Sequence, residues 1–118
     1  MNLYHDLILD EAKHPSNFGQ LETADQRIVE YNASCGDQVK IDLKIKDGQI
    51  VDLKWRGSGC IISLAATSQL SRKLIGMKIV EVKKLNTKNM LALLGLDNIS
   101  PGRIKCLMLS LTAILKNV

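Results

Sequence analysis

The chain has 118 residues, enough for one domain and too few for a second core, so residues 1–118 are expected to form a single unit. Apolar residues make up 46% and charged residues 24%, an ordinary globular balance that argues against disorder. A net charge of +4, from 16 Lys+Arg against 12 Asp+Glu, is too mild for a nucleic-acid footprint without clustering, and 3% aromatics exclude a base-stacking surface. The basic surplus would equally suit an acidic protein partner. No apolar run approaches the roughly 20 residues of a membrane span. The start, Met1-Asn2-Leu3-Tyr4-His5-Asp6, is polar and acidic where a signal peptide is basic and then apolar. The expected location is cytoplasmic, with neither nucleic acid nor membrane as partner.

Asn2 to His14 reads as an amphipathic helix, with Leu3, Leu7 and Ile8 at helical spacing and Asp6, Asp10 and Glu11 on the other side. Pro15 stops it, because a proline pushes the preceding residue out of helical geometry. His14 to Gln26 is a loop. From Arg27 to Arg56 the period becomes two. Val39 to Lys46 alternates apolar and charged residues over eight positions, a half-buried strand whose wet face would carry Lys40, Asp42, Lys44 and Lys46. Asp47-Gly48 is a hairpin signal leading into a strand through Ile50, Leu53 and Trp55. Ile28 to Ser34 would pair on the other side of Val39–Lys46, turning at Cys35-Gly36-Asp37.

Gly57-Ser58-Gly59-Cys60 breaks the alternation, and Ile61 to Ile75 follows as a helix with Gly76 at its C-cap. Lys78 to Gly95 holds two short helices, with Thr87 as an N-cap and Gly95 as a stop. Ser100-Pro101 opens a last helix from about Gly102 to Lys116. One helix, three strands and then helices make an α+β domain, a three-stranded antiparallel sheet with helices packed on one face.

Three cysteines, Cys35, Cys60 and Cys106, argue against a disulfide framework, since the number is odd and the chain is read as cytosolic. Cys35-Gly36-Asp37 can aim a thiolate and a carboxylate to one side of a turn, and both are metal ligands. By itself this pair reads more readily as a buried cysteine beside a turn-forming aspartate. Cys60 stands where a helix starts, and unpaired N–H groups there lower a thiol's pKa. A small residue at a tight strand-to-helix turn accounts for it equally well. Cys106 lies three residues after Arg103 and next to Lys105, two cations that favour a thiolate, yet a core cysteine on an apolar helix is an even alternative. Gly57-Ser58-Gly59-Cys60 lacks the Gly-Lys-Ser/Thr ending of a phosphate-binding loop. His5 and His14 have no Ser or Cys at nucleophile–base spacing, and the carboxylates are scattered, so no acid/base pair stands out. Three thiolates and one carboxylate would complete a tetrahedral four-ligand set.

The chain resembles the U-type iron–sulfur cluster assembly scaffold family, comprising IscU, SufU and the N-terminal domain of NifU. The matching residues are Tyr4 with Ile8-Leu9-Asp10, His14-Pro15-x-Asn17-x-Gly19, Asn32-x-x-Cys35-Gly36-Asp37, Gly48-x-Ile50-x-Asp52, Gly57-x-Gly59-Cys60-x-Ile62-Ser63 and Arg103-x-Lys105-Cys106. The resemblance implies the SufE/NifU-like fold, and it makes Cys35, Asp37, Cys60 and Cys106 the residues that bind zinc or hold iron while a [2Fe–2S] cluster is built and passed to acceptor apo-proteins. It implies a cysteine desulfurase that delivers sulfur as a persulfide to Cys35 or Cys106. The role the resemblance implies is that of a non-enzymatic scaffold or sulfur acceptor rather than an enzyme; the alternative is a zinc-dependent sulfur carrier of the SufU sort without a stable cluster. Lys105 stands where IscU-type scaffolds carry His, and Ser100 to Lys105 lacks their Pro-Pro-Val-Lys-like segment, so an Hsp70-type chaperone partner is not implied. Arg103-x-Lys105 is SufU-like, and these two cations would tune the thiolate or contact the desulfurase. The 45 residues between Cys60 and Cys106 match IscU spacing instead.

Overall fold

The computed structural model describes residues 3–33 and 36–118. Alternating apolar and polar residues build β1 (Gln26–Asn32), β2 (Asp37–Lys46) and β3 (Gln49–Ser58), an antiparallel meander in the order β1-β2-β3. Asp47 and Gly48 both adopt positive φ, 53° and 73°, the geometry of a two-residue turn whose twist matches the flanking strands. Lys44 pairs with Asp52 and Ile45 with Ile50, so Val51 is bulged out. That bulge lets Ile50 and Leu53, an odd number of positions apart, both face the core.

The inner face of the sheet carries Ile28, Val39, Ile41, Leu43, Ile50, Leu53 and Trp55, all buried. Against it lie α2 (Ile61–Leu74) and α5 (Pro101–Asn117), which pack on each other through residues such as Leu70, Leu74, Leu107, Leu111 and Ile114. Two short helices, α3 (Ile79–Val82) and α4 (Thr87–Leu93), connect them, burying Val82 and Met90. The cap of α4 is Asn86 rather than Thr87: the Asn86 side chain accepts the Asn89 N–H at 3.1 Å, and the Asn89 side chain accepts the Asn86 N–H at 2.9 Å. This reciprocal box satisfies two backbone donors at once.

The first helix, α1 (Leu3–Lys13), packs on α2 through Ile8, while Leu7 is exposed. Glu11, expected on the solvent side, faces α2. There it accepts both Arg72 guanidinium nitrogens, at 2.6 and 3.1 Å, the Gln69 amide at 3.1 Å and the Ser68 hydroxyl. Burial works to raise the Glu11 pKa, and the Arg72 and Ser68 hydrogen bonds with the Arg72 charge outweigh it, leaving the carboxyl below its ordinary value. The hydrogen bond to Glu11 in turn raises Arg72.

Residues 14–25 form a strap around the sheet. Gly19 donates to the Trp55 carbonyl (2.8 Å) and Trp55 to the Asn17 carbonyl (3.0 Å), so the strap begins beside β3. It then crosses the outer face: Leu21 N–H donates to Asp42 Oδ2 (3.1 Å) and Asp25 N–H to the Leu43 carbonyl (2.8 Å). Asp42 is therefore buried, with Arg27 2.8 Å and Arg56 3.7 Å from the same oxygen, and is not part of a wet face as its alternation suggested. Lys40, Lys44 and Lys46 are exposed. No helix among the described residues is long and apolar enough to cross a membrane.

Candidate metal centre

One end of the sheet is polar where the rest of the inner face is apolar. Asp37 is the first residue of β2, not a turn residue as the sequence suggested, and pairs with Asn32, the last residue of β1. Both are buried and face the helices. Cys60 is the N-cap of α2, in extended geometry at φ −75° and ψ 164°. A thiol is a poor cap, and the Cys60 side chain makes no capping bond. Its backbone N–H instead donates to Asp37 Oδ1 at 3.0 Å. Cys106 lies in the second turn of α5, buried at 3% exposure, and its Sγ accepts the Asn32 amide at 3.9 Å.

Asp37, Cys60 and Cys106 each offer one ligand atom, and those atoms all lie within 4.8 Å of one another. A tetrahedral ion with bonds of about 2.0–2.3 Å spaces its donors roughly 3.5–3.8 Å apart, so contracting this group takes shifts of about an ångström. Asp37 is 1% exposed and has no salt bridge, and its Oδ2 has no hydrogen-bond partner among the described residues. Burying an unpaired carboxylate oxygen is unfavourable by about 1–3 kcal/mol or more. A cation between the two sulfurs would remove that penalty, and the hard–soft mix of one oxygen with thiolates suits zinc or iron.

Gly59 lets the carboxylate sit here. At φ +150° it adopts a conformation that side-chain-bearing residues rarely reach, and a Cβ on it would fall on Asp37 Oδ1, with Cγ 2.8 Å away.

Cys35 lies outside the described residues. Arg103 and Lys105 are exposed, and the side chain of neither makes a hydrogen bond or ion pair among the described residues. Lys105 lines an open groove of about 280 Å³ with Tyr31, Asn32 and Met108. His5 and His14 are exposed. Sequence reasoning gave Asn32 no role. Its signal is parity: Ile28 and Asn32 occupy the same face of β1, so a polar amide stands where alternation calls for an apolar side chain.

The chain matches the family described as NifU-like N terminal domain over residues 3–118. A relative from Thermotoga maritima, the iron–sulfur cluster assembly scaffold protein IscU, is 31% identical over 92% of this chain and 87% of its own length. The zinc-dependent sulfurtransferase SufU of Bacillus subtilis is 34% identical over 98% of this chain and 89% of its own. That alignment runs to 135 positions against 118 residues here, so SufU carries segments this chain lacks. A crystal structure described as a scaffold protein of the SUF system, from Fervidobacterium islandicum, superposes with a TM-score of 0.79 at 27% identity, covering 97% of this chain and 93% of that one. The meander, the cysteine at the head of α2 and the Asp37–Cys60–Cys106 cluster thus sit in a chain that belongs to the NifU-like N-terminal domain family of U-type iron–sulfur cluster scaffolds.

Proposed function

We propose that this protein is an assembly scaffold for iron–sulfur clusters, holding iron and sulfide between Cys35, Asp37, Cys60 and Cys106. The observation that carries the reading is the buried Asp37 Oδ2, without a hydrogen bond among the described residues, grouped with two thiols. Iron and sulfur are cargo. A cysteine desulfurase presents a persulfide, and a thiolate of this chain attacks its outer sulfur. The S–S bond breaks, the desulfurase leaves as a thiolate, and the persulfide now stands here. Cys106 is buried, so first transfer is assigned to Cys35. Each sulfane sulfur takes two electrons, from an external electron carrier, to become sulfide. A [2Fe–2S] cluster on this donor set is then released to an acceptor apo-protein. Asp37 aids release, because a hard oxygen holds soft-ligated iron less firmly than a fourth thiolate would.

A second reading is a zinc-bearing sulfur carrier, favoured by the 34% identity to the Bacillus protein and by the SufU-like Arg103-x-Lys105. There zinc holds the other thiolates while Cys35 takes the sulfur. The deciding measurement is iron, zinc and acid-labile sulfide per chain after anaerobic purification and again after incubation with ferrous iron, cysteine, a reductant and a desulfurase. Iron and sulfide in equal amounts support the scaffold. Stoichiometric zinc without sulfide, together with a persulfide mapped to one cysteine, selects the carrier.

A further inference from the structure

Asn32 occupies the last rung of the β1–β2 ladder, with Asp37 as its Cα partner. One rung therefore supplies both a carboxylate ligand and, 3.9 Å from Cys106 Sγ, an amide donor. Both partners of that contact are buried, at 8% and 3% exposure, so water does not compete for the sulfur as it would at the surface. The donor is neutral. A lysine or arginine in its place would pair with Asp37 or the thiolates and displace a metal cation, whereas an amide N–H orients a sulfur lone pair and withdraws electron density without adding charge. The exposed cations Arg103 and Lys105, which sequence reasoning assigned to tuning the thiolate or contacting the desulfurase, are not partners in this contact.

We infer that Asn32 is a positioning residue for the Cys106 thiolate: its amide holds Sγ toward the metal and weakens the sulfur's donor strength. The inference rests on the reading of Cys106 as a ligand. Hydrogen bonds to ligating sulfurs are among the means by which proteins set the electronic character of metal–thiolate centres. In this chain that lever is placed on the buried thiolate contributed by α5.

The test uses cobalt(II) bound to the intact chain, with Asn32→Leu as the variant of similar size lacking the donor. The thiolate-to-cobalt charge-transfer band should move to longer wavelength in Asn32→Leu, because a sulfur relieved of its hydrogen bond gives up electron density more readily. Zinc affinity, measured against a competing chelator, should fall roughly 10–100-fold as the ring of donors loses its orientation. A folded, cobalt-loaded Asn32→Leu with the band at the wild-type energy overturns the inference, since a purely structural role would alter affinity alone. Should Asn32→Leu fail to fold, Asn32→Val, which suits a strand and lacks the donor without adding charge, gives the same reading: a band moved to longer wavelength supports the role and an unshifted one overturns it. Wild-type protein with no thiolate-to-cobalt band at all overturns the metal-site reading and this inference with it.

Discussion

At the scale of single residues, the site depends on the absence of a side chain as much as on its donors. Gly59 carries the backbone past Asp37 at φ +150°, and the carboxylate fills the space a Cβ would need. Gly59→Ala is expected to push Asp37 out of the group, destabilising the fold by about 1–3 kcal/mol and lowering zinc affinity by roughly 10-fold or more. Chemical denaturation and a chelator competition check the two effects separately. The spacing in the sequence made Cys60 the residue at the head of a helix and Asp37 a candidate ligand, because Gly-x-Gly-Cys and Cys-Gly-Asp are local patterns. Asn32 and Gly59 stand in the motifs that carry the family resemblance, but what they do was not legible in the same way. Their roles come from Cys106 and Asp37, 74 and 22 positions distant, and no local period encodes such a contact.

At the scale of elements, alternation identified β2 and β3 and put a partner strand beside them, helical spacing gave α1, and composition, glycine and capping signals marked the later helices. Periodicity failed where a polar residue was covered by something from elsewhere. Asp42 read as solvated, yet the strap crosses it; Glu11 read as solvated, yet α2 meets it with Arg72, Gln69 and Ser68. The Glu11–Arg72 pair makes the docking of α1 dependent on acidity. A carboxyl with a lowered folded-state pKa contributes stability above its unfolded value, ordinarily 4.5, and loses it as pH falls through the folded value. Wild type should thus exceed Glu11→Gln at neutral pH by on the order of 1 kcal/mol, a modest figure because Arg72 is 43% exposed and solvent screens the pair. The gap should close as pH drops below the ordinary carboxylate range. Urea unfolding of both proteins at neutral and acid pH measures it, and a gap independent of pH would remove the ion pair from the account.

For the whole molecule, the donors join parts of the chain that are distant in sequence: the start of β2, the head of α2 and the second turn of α5. An ion bound there ties sheet and helices together and stabilises the folded state over an unfolded chain that holds its ligands apart. At a hundred times its dissociation constant zinc should add about 2.7 kcal/mol, an upward shift of roughly 10 °C in the thermal midpoint for a domain of this size. Asp37→Ala should retain only part of that shift. Scanning calorimetry with and without zinc gives the values, and equal midpoints in wild type would argue that the cluster of donors does not bind the ion.

The strap has a consequence for observing the protein. Its Ser16 carbonyl accepts the Trp55 indole N–H at 2.8 Å, and Phe18 packs edge-on to the same ring with centroids 5.0 Å apart. Trp55 is the only tryptophan in the chain, 1% exposed and two residues from Gly57 on the strand that leads into Cys60. Its fluorescence is therefore a native optical gauge of the strap: blue-edged emission from a dry ring while the strap is closed, and a red displacement with altered quenching once water replaces Ser16. No dye or added label is needed to follow, in real time, whether loading or unloading at the far end of β3 is felt along its length.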